Sequence, residues 1–221
     1  ENANWVRRSR YHEMQRAVYR EFIAETCRRI HQRDPGCQVA FNWAYSLRMP
    51  ERPDPGIGYL TGDIANRVEG LSAEAHWADG ANLPFDLMTT GHTRVDSETG
   101  PRRVAKPKPQ LEQEMAVIVA NGGRFNLWDT PSPTSGIDGE IMERHIEVVS
   151  PFLRSRQPWC TDTRRVADVS VLHSAAAHYA LAEDGDAPFA RKNNRTDGLA
   201  TFLPKLHLNY EMLGDWRLVD Q

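Results

Sequence analysis

The stretch QLEQEMAVIVANGGRFNLWD, Gln110 to Asp129, holds a helix, its stop signal and a strand in immediate succession. Leu111, Met115, Ile118 and Val119 recur at three- and four-residue spacing, which lines one face of a helix over Gln110–Ala120. Gly122-Gly123 ends it, because residues without a Cβ weaken a helix and accept the left-handed turn at its end. Arg124–Trp128 then reads as a short strand. A helix that passes at once into a strand is half of a β/α unit.

The same grammar extends outward. Tyr11–Gln32 predicts a helix with Met14, Val18, Phe22, Ile23, Cys27 and Ile30 inward, stopped by Asp34-Pro35-Gly36. Gln38–Tyr45 (QVAFNWAY) predicts a first strand and Ser46–Gly56 a Pro-rich loop. Ile57–Asp63 predicts a second strand, Asn66–Ala78 a helix with Val68, Leu71 and Ala75 on one side, and Pro84–Thr89 a third strand. Gly91–Lys108 reads as a polar loop, Arg124–Trp128 as the fourth strand, Thr130–Gly139 as a loop, and Glu140–Ser150 as a helix stopped by Pro151. This alternation implies four neighbouring parallel strands with the Tyr11–Gln32 and Gln110–Ala120 helices outside.

Beyond Pro158-Trp159 the pattern changes. Val166–Leu172 predicts a strand, followed by a polar loop to Arg195 and a helix over Leu199–Leu213, with Leu199, Phe202, Leu203, Leu206, Tyr210 and Leu213 as its stripe and Gly214 just past its end. Trp216–Val219 looks like the start of another strand. A boundary near Thr161–Arg165 separates residues 1–160 from 161–221, and the abrupt ends suggest a segment of a longer polypeptide.

Composition excludes several classes. Across 221 residues, 40% hydrophobic and 26% charged, the chain is too apolar to be disordered, and no apolar run approaches the ~20 residues of a membrane-spanning helix. Twenty-seven Lys+Arg against 30 Asp+Glu, with no block of like charge, give no footprint for nucleic acid or a membrane surface. Cys27, Cys37 and Cys160 are too few and too scattered for a disulfide framework and read as buried reduced thiols. There is no G-x-S-x-G elbow, no phosphate or dinucleotide loop, and no His pair at metal-ligand spacing joined by a carboxylate, so neither cofactor nor metal is expected. No apolar leader core is visible, which leaves the compartment open.

In a parallel barrel the ligand site lies at the C-terminal strand ends. Here those ends are Asn42-Trp43-Ala44-Tyr45, then Asp63, then Thr90-Gly91-His92, then Trp128-Asp129. Aromatic platforms beside carboxylates and amides suit a sugar, whose CH faces stack and whose hydroxyls need polar partners. Glycosidic cleavage needs two carboxylates, one to donate a proton and one to attack or activate water. Each residue also has a plain structural role open to it. Asp63 can be a helix N-cap, Asp129 a turn former, Glu74 a solvated helix residue or a partner of His76 or Arg67, His92 a surface residue, and Trp43 and Trp128 core.

The run Val39-Ala40-Phe41-Asn42-Trp43-Ala44-Tyr45-Ser46, with Met49-Pro50-Glu51, Tyr59-Leu60-Thr61-Gly62-Asp63 and Pro84-Phe85-Asp86-Leu87-Met88, resembles bacterial α-L-fucosidase-like glycoside hydrolases. The likeness continues through Gln110-Leu111-Glu112-Gln113-Glu114, the Ala-Asn-Gly-Gly turn and Arg156-Gln157-Pro158, and spans most of Tyr11–Tyr179. It implies an α/β fold: the C-terminal half of a (β/α)8 barrel, then the start of a Rossmann-like, flavodoxin-like domain of the glutamine-amidotransferase or β-galactosidase-trimerisation type, with a homo-oligomer through that domain as an expectation. It also implies a retaining, exo-acting enzyme on a carbohydrate substrate, with an Asp nucleophile on a strand before Glu1. Asp63 then becomes the first candidate acid/base and Glu74 the second, while Asn42, Trp43, His92, Trp128 and Asp129 would bind substrate. Where the family has Leu-Leu-Asn-Val-Gly-Pro on its last barrel strand, this chain has Phe125-Asn126-Leu127-Trp128-Asp129-Thr130-Pro131. A non-catalytic carbohydrate-binding or structural barrel is the alternative, since a fold guarantees no activity. Half a barrel is also expected to expose two sheet edges and much apolar surface.

Overall fold

The computed structural model describes residues 2–62, 68–96, 98, 100, 102–129, 136, 139–180 and 195–219. In chain order the elements are α1 (Asn2–Arg33), β1 (Leu60–Gly62), α2 (Val68–Gly80), β2 (Phe85–Thr90), β3 (His92–Val95), β4 (Arg102–Ala105), α3 (Lys108–Ala120), β5 (Arg124–Trp128), α4 (Gly139–Arg144), α5 (Ser150–Cys160), β6 (Val169–Leu172), α6 (Ala175–Ala180), α7 (Arg195–Lys205) and β7 (Tyr210–Leu213).

β1, β2 and β5 form a parallel sheet in that order, with Leu60 opposite Phe85, Leu87 opposite Phe125 and Thr90 opposite Trp128. Side chains alternate across a strand, so the sheet has two unlike faces. One carries Phe85 and Leu87, buried against Leu71, Ala75 and Ala78 of α2, Ile118 of α3, and Ile23 and Cys27 of α1. The other carries Thr61, Asp86, Met88, Thr90, Arg124, Asn126 and Trp128, all half-buried or exposed, with the Thr61 hydroxyl donating to Asp86 Oδ1 at 2.7 Å. The apolar surface expected of half a barrel is therefore largely absent from the open sheet face.

Three of the four expected strands are thus parallel neighbours. The fourth differs: Gln38–Phe41 has no regular secondary structure, and although Val39 O accepts a hydrogen bond from Gly58 N at 2.9 Å, no ladder forms. Asn42–Tyr45 is a turn, with Trp43 at φ 69 and Tyr45 at φ 57. The apolar character that suggested a strand reflects burial of Ala44, Tyr45 and Leu47 in a folded-back loop instead. The polar Gly91–Lys108 segment is not a loop but contains the antiparallel hairpin β3–β4. Its exit is pinned by a buried ion pair, Lys106 Nζ donating to both Glu114 oxygens at 2.8 and 2.9 Å, and by Lys106 N bonding to Gly91 O at 2.9 Å.

Pro151 does not stop the helix begun by α4. A π-turn over His145–Val149 lets Ser150 N bond to His145 O, and Pro151 then sits in the first turn of α5, where its missing N–H costs little. α7 ends at Lys205, because His207 takes a left-handed conformation (φ 57) while Leu208 N bonds to Leu203 O and His207 N to Pro204 O. Tyr210–Leu213 is consequently strand β7, parallel to β6, rather than the end of a helix. Gly214 is then the link out of β7, and Trp216 lies in a 3₁₀ turn, Asp215–Leu218, not a strand. α1 is also longer than expected: 32 residues span about 48 Å, over twice the length of β2. Its second half buries Ile23 and Cys27, while Tyr11, Met14, Val18 and Phe22 remain exposed. The three cysteines are free, and only Cys27 is buried.

The sheet of β6 and β7 packs on the side of α2 away from the first sheet. Trp77 is 1% exposed there, among Leu47, Ala73, Val171, Ala200, Tyr210 and Met212. Its indole N–H donates to Tyr45 O at 2.7 Å, and its ring meets His173 and Trp216 edge-on at 5.3 and 5.4 Å. Gly80 closes α2 so near β7 that a Cβ would lie 1.7 Å from Met212 O.

Two stability tests follow from this packing. Trp77→Ala should cost about 3–5 kcal/mol, since it opens a cavity and strands a buried carbonyl, and Trp77→Phe should cost clearly less; equal losses in urea unfolding would contradict this role. His76, beside it, is 9% exposed, stacks on Tyr210 at 3.8 Å and donates from Nδ1 to Ser72 O at 2.7 Å. Burial pushes its pKa down to about 4, opposed by the bond to Ser72. The unfolded imidazole then takes up its proton near pH 6.5 and the folded one only near 4, so its stabilising contribution is present above about pH 6.5 and lost as pH falls to about 4. The size is on the order of 3 kcal/mol. His76→Gln should flatten urea-unfolding stability between pH 7 and pH 4, and an unchanged slope would show that other groups set it.

Candidate functional site

The C-terminal ends of β2 and β5 meet through backbone. Thr90 pairs with Trp128, and Gly91 N then bonds to Trp128 O at 3.0 Å, carrying the association one residue past β2. Gly91 is required here, because a Cβ would lie 2.7 Å from Ile141 Cγ2. The continued contact delivers His92, the first residue of β3, to Asp129, the first residue after β5. His92 Nδ1 lies 3.2 Å from Asp129 Oδ1, and each side chain is only 10% exposed. A carboxylate only accepts, so the imidazole donates from Nδ1 and leaves Nε2 for other partners. Thr90 Oγ1 donates to His92 O at 2.6 Å, which fixes the strand exit. The Trp128 ring lies 5.9 Å from His92 at 45° and is 36% exposed.

Asp129 Oδ2 is buried and has no hydrogen-bond partner among the described residues. Thr89 Oγ1 shares that status, but Thr89 is completely buried and alternates onto the helix-packed face with Phe85 and Leu87. The trio of His92, Trp128 and Asp129 therefore combines a partly exposed apolar ring, an oriented imidazole and a carboxylate with one buried, unpaired oxygen. Such a set can grip a ligand that is apolar on one side and rich in hydroxyls on its edge.

The other expected site residues fall elsewhere. Asp63 lies outside the described residues. Glu74 is half-buried on α2, where its Oε2 accepts from Leu47 N at 3.2 Å, while His173 Nε2 bonds to Leu47 O at 2.9 Å. It belongs to the junction of α2, the Ser46–Met49 turns and β6, not to the His92–Asp129 pair. Asn42 is exposed, and Trp43 lies under the Arg48 guanidinium at 4.1 Å. Two residues beneath the site were missed from sequence, Lys106 and Glu114. The signal was available, since Glu114 falls on the same stripe as Leu111 and Ile118, and a charge on a buried stripe requires a buried partner. A second polar group joins α1 to α6: Arg16 covers the Tyr179 ring at 3.8 Å, and Arg20 bonds to Glu51 at 3.0 Å. No cluster of three metal-ligating side chains and no helix long and apolar enough to cross a membrane occurs among the described residues.

No protein-family model and no curated protein matches the chain. Among solved structures it is similar to alpha-L-fucosidase isoenzyme 2 from Paenibacillus thiaminolyticus, with a TM-score of 0.65 and 18% identity over 90% of this chain. The chain covers 30% of that protein's length. At this identity the likeness is one of fold: a mixed α/β arrangement of the kind found in a glycoside hydrolase, with helices packed on a parallel sheet.

Proposed function

We propose that this chain is part of a glycoside hydrolase that removes a terminal sugar from an oligosaccharide or glycan with retention of configuration, α-L-fucosides being the first substrates to try. The observation that carries this reading is the convergence of His92, Trp128 and Asp129 at the C-terminal ends of adjacent parallel strands, where barrel enzymes hold their ligands. The fucosidase-like fold supports it independently. In this reading residues 1–160 are the second half of a (β/α)8 barrel, and residues 161–221 begin a Rossmann-like domain through which subunits associate. Asn42 and Trp43 border the substrate alongside the trio.

Asp63 is the acid/base of this proposal. Glu74 ranks behind it because its carboxylate already accepts the Leu47 amide. The nucleophile is an Asp from another part of the protein, roughly 5–5.5 Å from the acid/base as retention requires. Such an acid keeps its proton near neutral pH through burial or through the nucleophile's negative charge.

The full-length protein should hydrolyse aryl glycosides. Asp63→Asn should lower turnover by about 10²–10⁴-fold on substrates with poor leaving groups, lose less on activated aryl substrates, and respond to azide in the water-dependent second step. Near-unchanged activity of Asp63→Asn on a natural glycoside would move the role to Glu74 or another carboxylate. Sugar binding without any turnover would mark a carbohydrate-binding barrel instead.

A further inference from the structure

Building on the reading of His92, Trp128 and Asp129 as the ligand site, we propose that Lys106 and Glu114 are positioning residues for it: their buried ion pair clamps the hairpin β3–β4 to the α3–β5 unit, so that the His92 imidazole faces Asp129 with its proton on Nδ1. Two segments meet here. One runs from β2 through β3 and β4 to Lys106, and the other from α3 through the Gly122-Gly123 turn into β5 and Asp129. Past the β2–β5 ladder they are joined by Gly91 N to Trp128 O at 3.0 Å, by His92 Nδ1 to Asp129 Oδ1 at 3.2 Å, and by Lys106 Nζ to both Glu114 oxygens at 2.8 and 2.9 Å. The first two contacts are the site, and the third lies outside it.

These contacts are mechanically coupled. Lys106 N bonds to Gly91 O at 2.9 Å, and Ala105, the residue before Lys106, lies opposite His92 in the hairpin. Gly91 therefore accepts from Lys106 and donates to Trp128, one residue before His92. Gln110 Nε2 donates to Glu114 Oε1 at 3.1 Å and Arg144 Nε to Lys106 O at 3.3 Å, so each partner is also held by a further side chain. Net stability does not account for the two charges. Lys106 and Glu114 are each 5% exposed, and apolar residues of similar volume would fill that space without the cost of desolvating two ions. What a buried pair does supply is one arrangement, since neither charge is tolerated there alone. The hairpin needs such a restraint, because its strands are polar and set Arg94 opposite Arg103. Displacing it by about 1 Å would carry the His92–Asp129 contact beyond hydrogen-bonding range and free the ring to exchange tautomers.

The test reads the imidazole directly. Full-length protein carrying ¹⁵N-labelled histidine reports the His92 tautomer by NMR, with His92→Gln assigning its resonances. Wild type should show the separate ring-nitrogen positions of a fixed Nδ1–H tautomer. Lys106→Met alone should lower the melting temperature, because it leaves the Glu114 carboxylate buried without its cation. Lys106→Met/Glu114→Leu should melt close to wild type yet show the averaged ring shifts of an imidazole freed from Asp129. Lys106→Arg, which can bond both carboxylate oxygens, should keep the fixed tautomer. If wild type turns over an aryl glycoside, the double variant should lose up to about 10²-fold in kcat/KM. Averaged shifts already in wild type, a fixed Nδ1–H tautomer in the double variant, or loss of the tautomer only where cooperative melting is also lost would each overturn the assignment. Absence of turnover in wild type would sink the hydrolase reading and leave the tautomer result standing.

Discussion

The structure hinges on Trp77. Its indole N–H holds Tyr45 O at 2.7 Å while its ring fills the space between α2 and the β6–β7 sheet. One side chain thereby fixes the loop after Gln38–Phe41 and seats the second sheet against α2. The rest of α2 is shaped to the same purpose. Leu71 and Ala75 face the first sheet, Ala73 and Trp77 face the second, and Gly80 lets the helix end against the β7 backbone. Arg165 seals the edge, bonding Asp79 at 2.7 Å and also Asn121, at the end of α3. A helix gripped on two sides has little freedom to shift, and the strands it separates inherit that rigidity.

The same sheet is apolar and buried on one face and largely polar on the other. Phe85, Leu87 and Phe125 turn toward the helices, and removing their surface from water supplies the driving force at about 25 cal/mol per Å². Thr61, Asp86, Thr90, Arg124 and Asn126 turn the other way and remain solvated or mutually bonded. At the end of that polar face stand Trp128 and the His92–Asp129 pair. The hairpin β3–β4 is what brings His92 there, and its return is anchored by Lys106 and Glu114, both about 95% buried. A buried ion pair contributes little net stability but breaks at high cost when one partner is lost, so it specifies where the hairpin lies more than how firmly the fold holds.

Elements with one buried face were legible in the sequence. α3 shows it best: Leu111, Met115, Ile118 and Val119 were read as inward and are all buried, and the double-glycine stop precedes β5. α2 gave a weaker signal for a physical reason, because burial on two sides erases the single apolar stripe that periodicity detects. Gln38–Tyr45 misled because burial was taken for strand character, and strand propensity is largely a measure of burial. The β3–β4 hairpin was invisible because its residues are polar and half-exposed, with Arg94 opposite Arg103 and no apolar alternation. Tyr210–Leu213 was absorbed into α7's stripe because nothing in His207 announces a left-handed residue.

The site follows the same logic. That His92, Trp128 and Asp129 stand at or just past strand ends is a matter of topology and is legible without side-chain detail. Their mutual contact was not legible, since it depends on Gly91 extending the pairing to Trp128 O and on the hairpin turning back. Glu74 stands elsewhere, on the helix between the two sheets, where its Oε2 accepts from the backbone amide of Leu47. Asp129 differs in kind because one of its oxygens is left over. Burying a carboxylate and satisfying only half of it lowers stability without improving packing. The two half-buried carboxylates are thus treated unequally on one scaffold: Glu74 accepts the Leu47 amide, whereas Oδ2 of Asp129 has no partner among the described residues, a contrast that their positions in the sequence do not reveal.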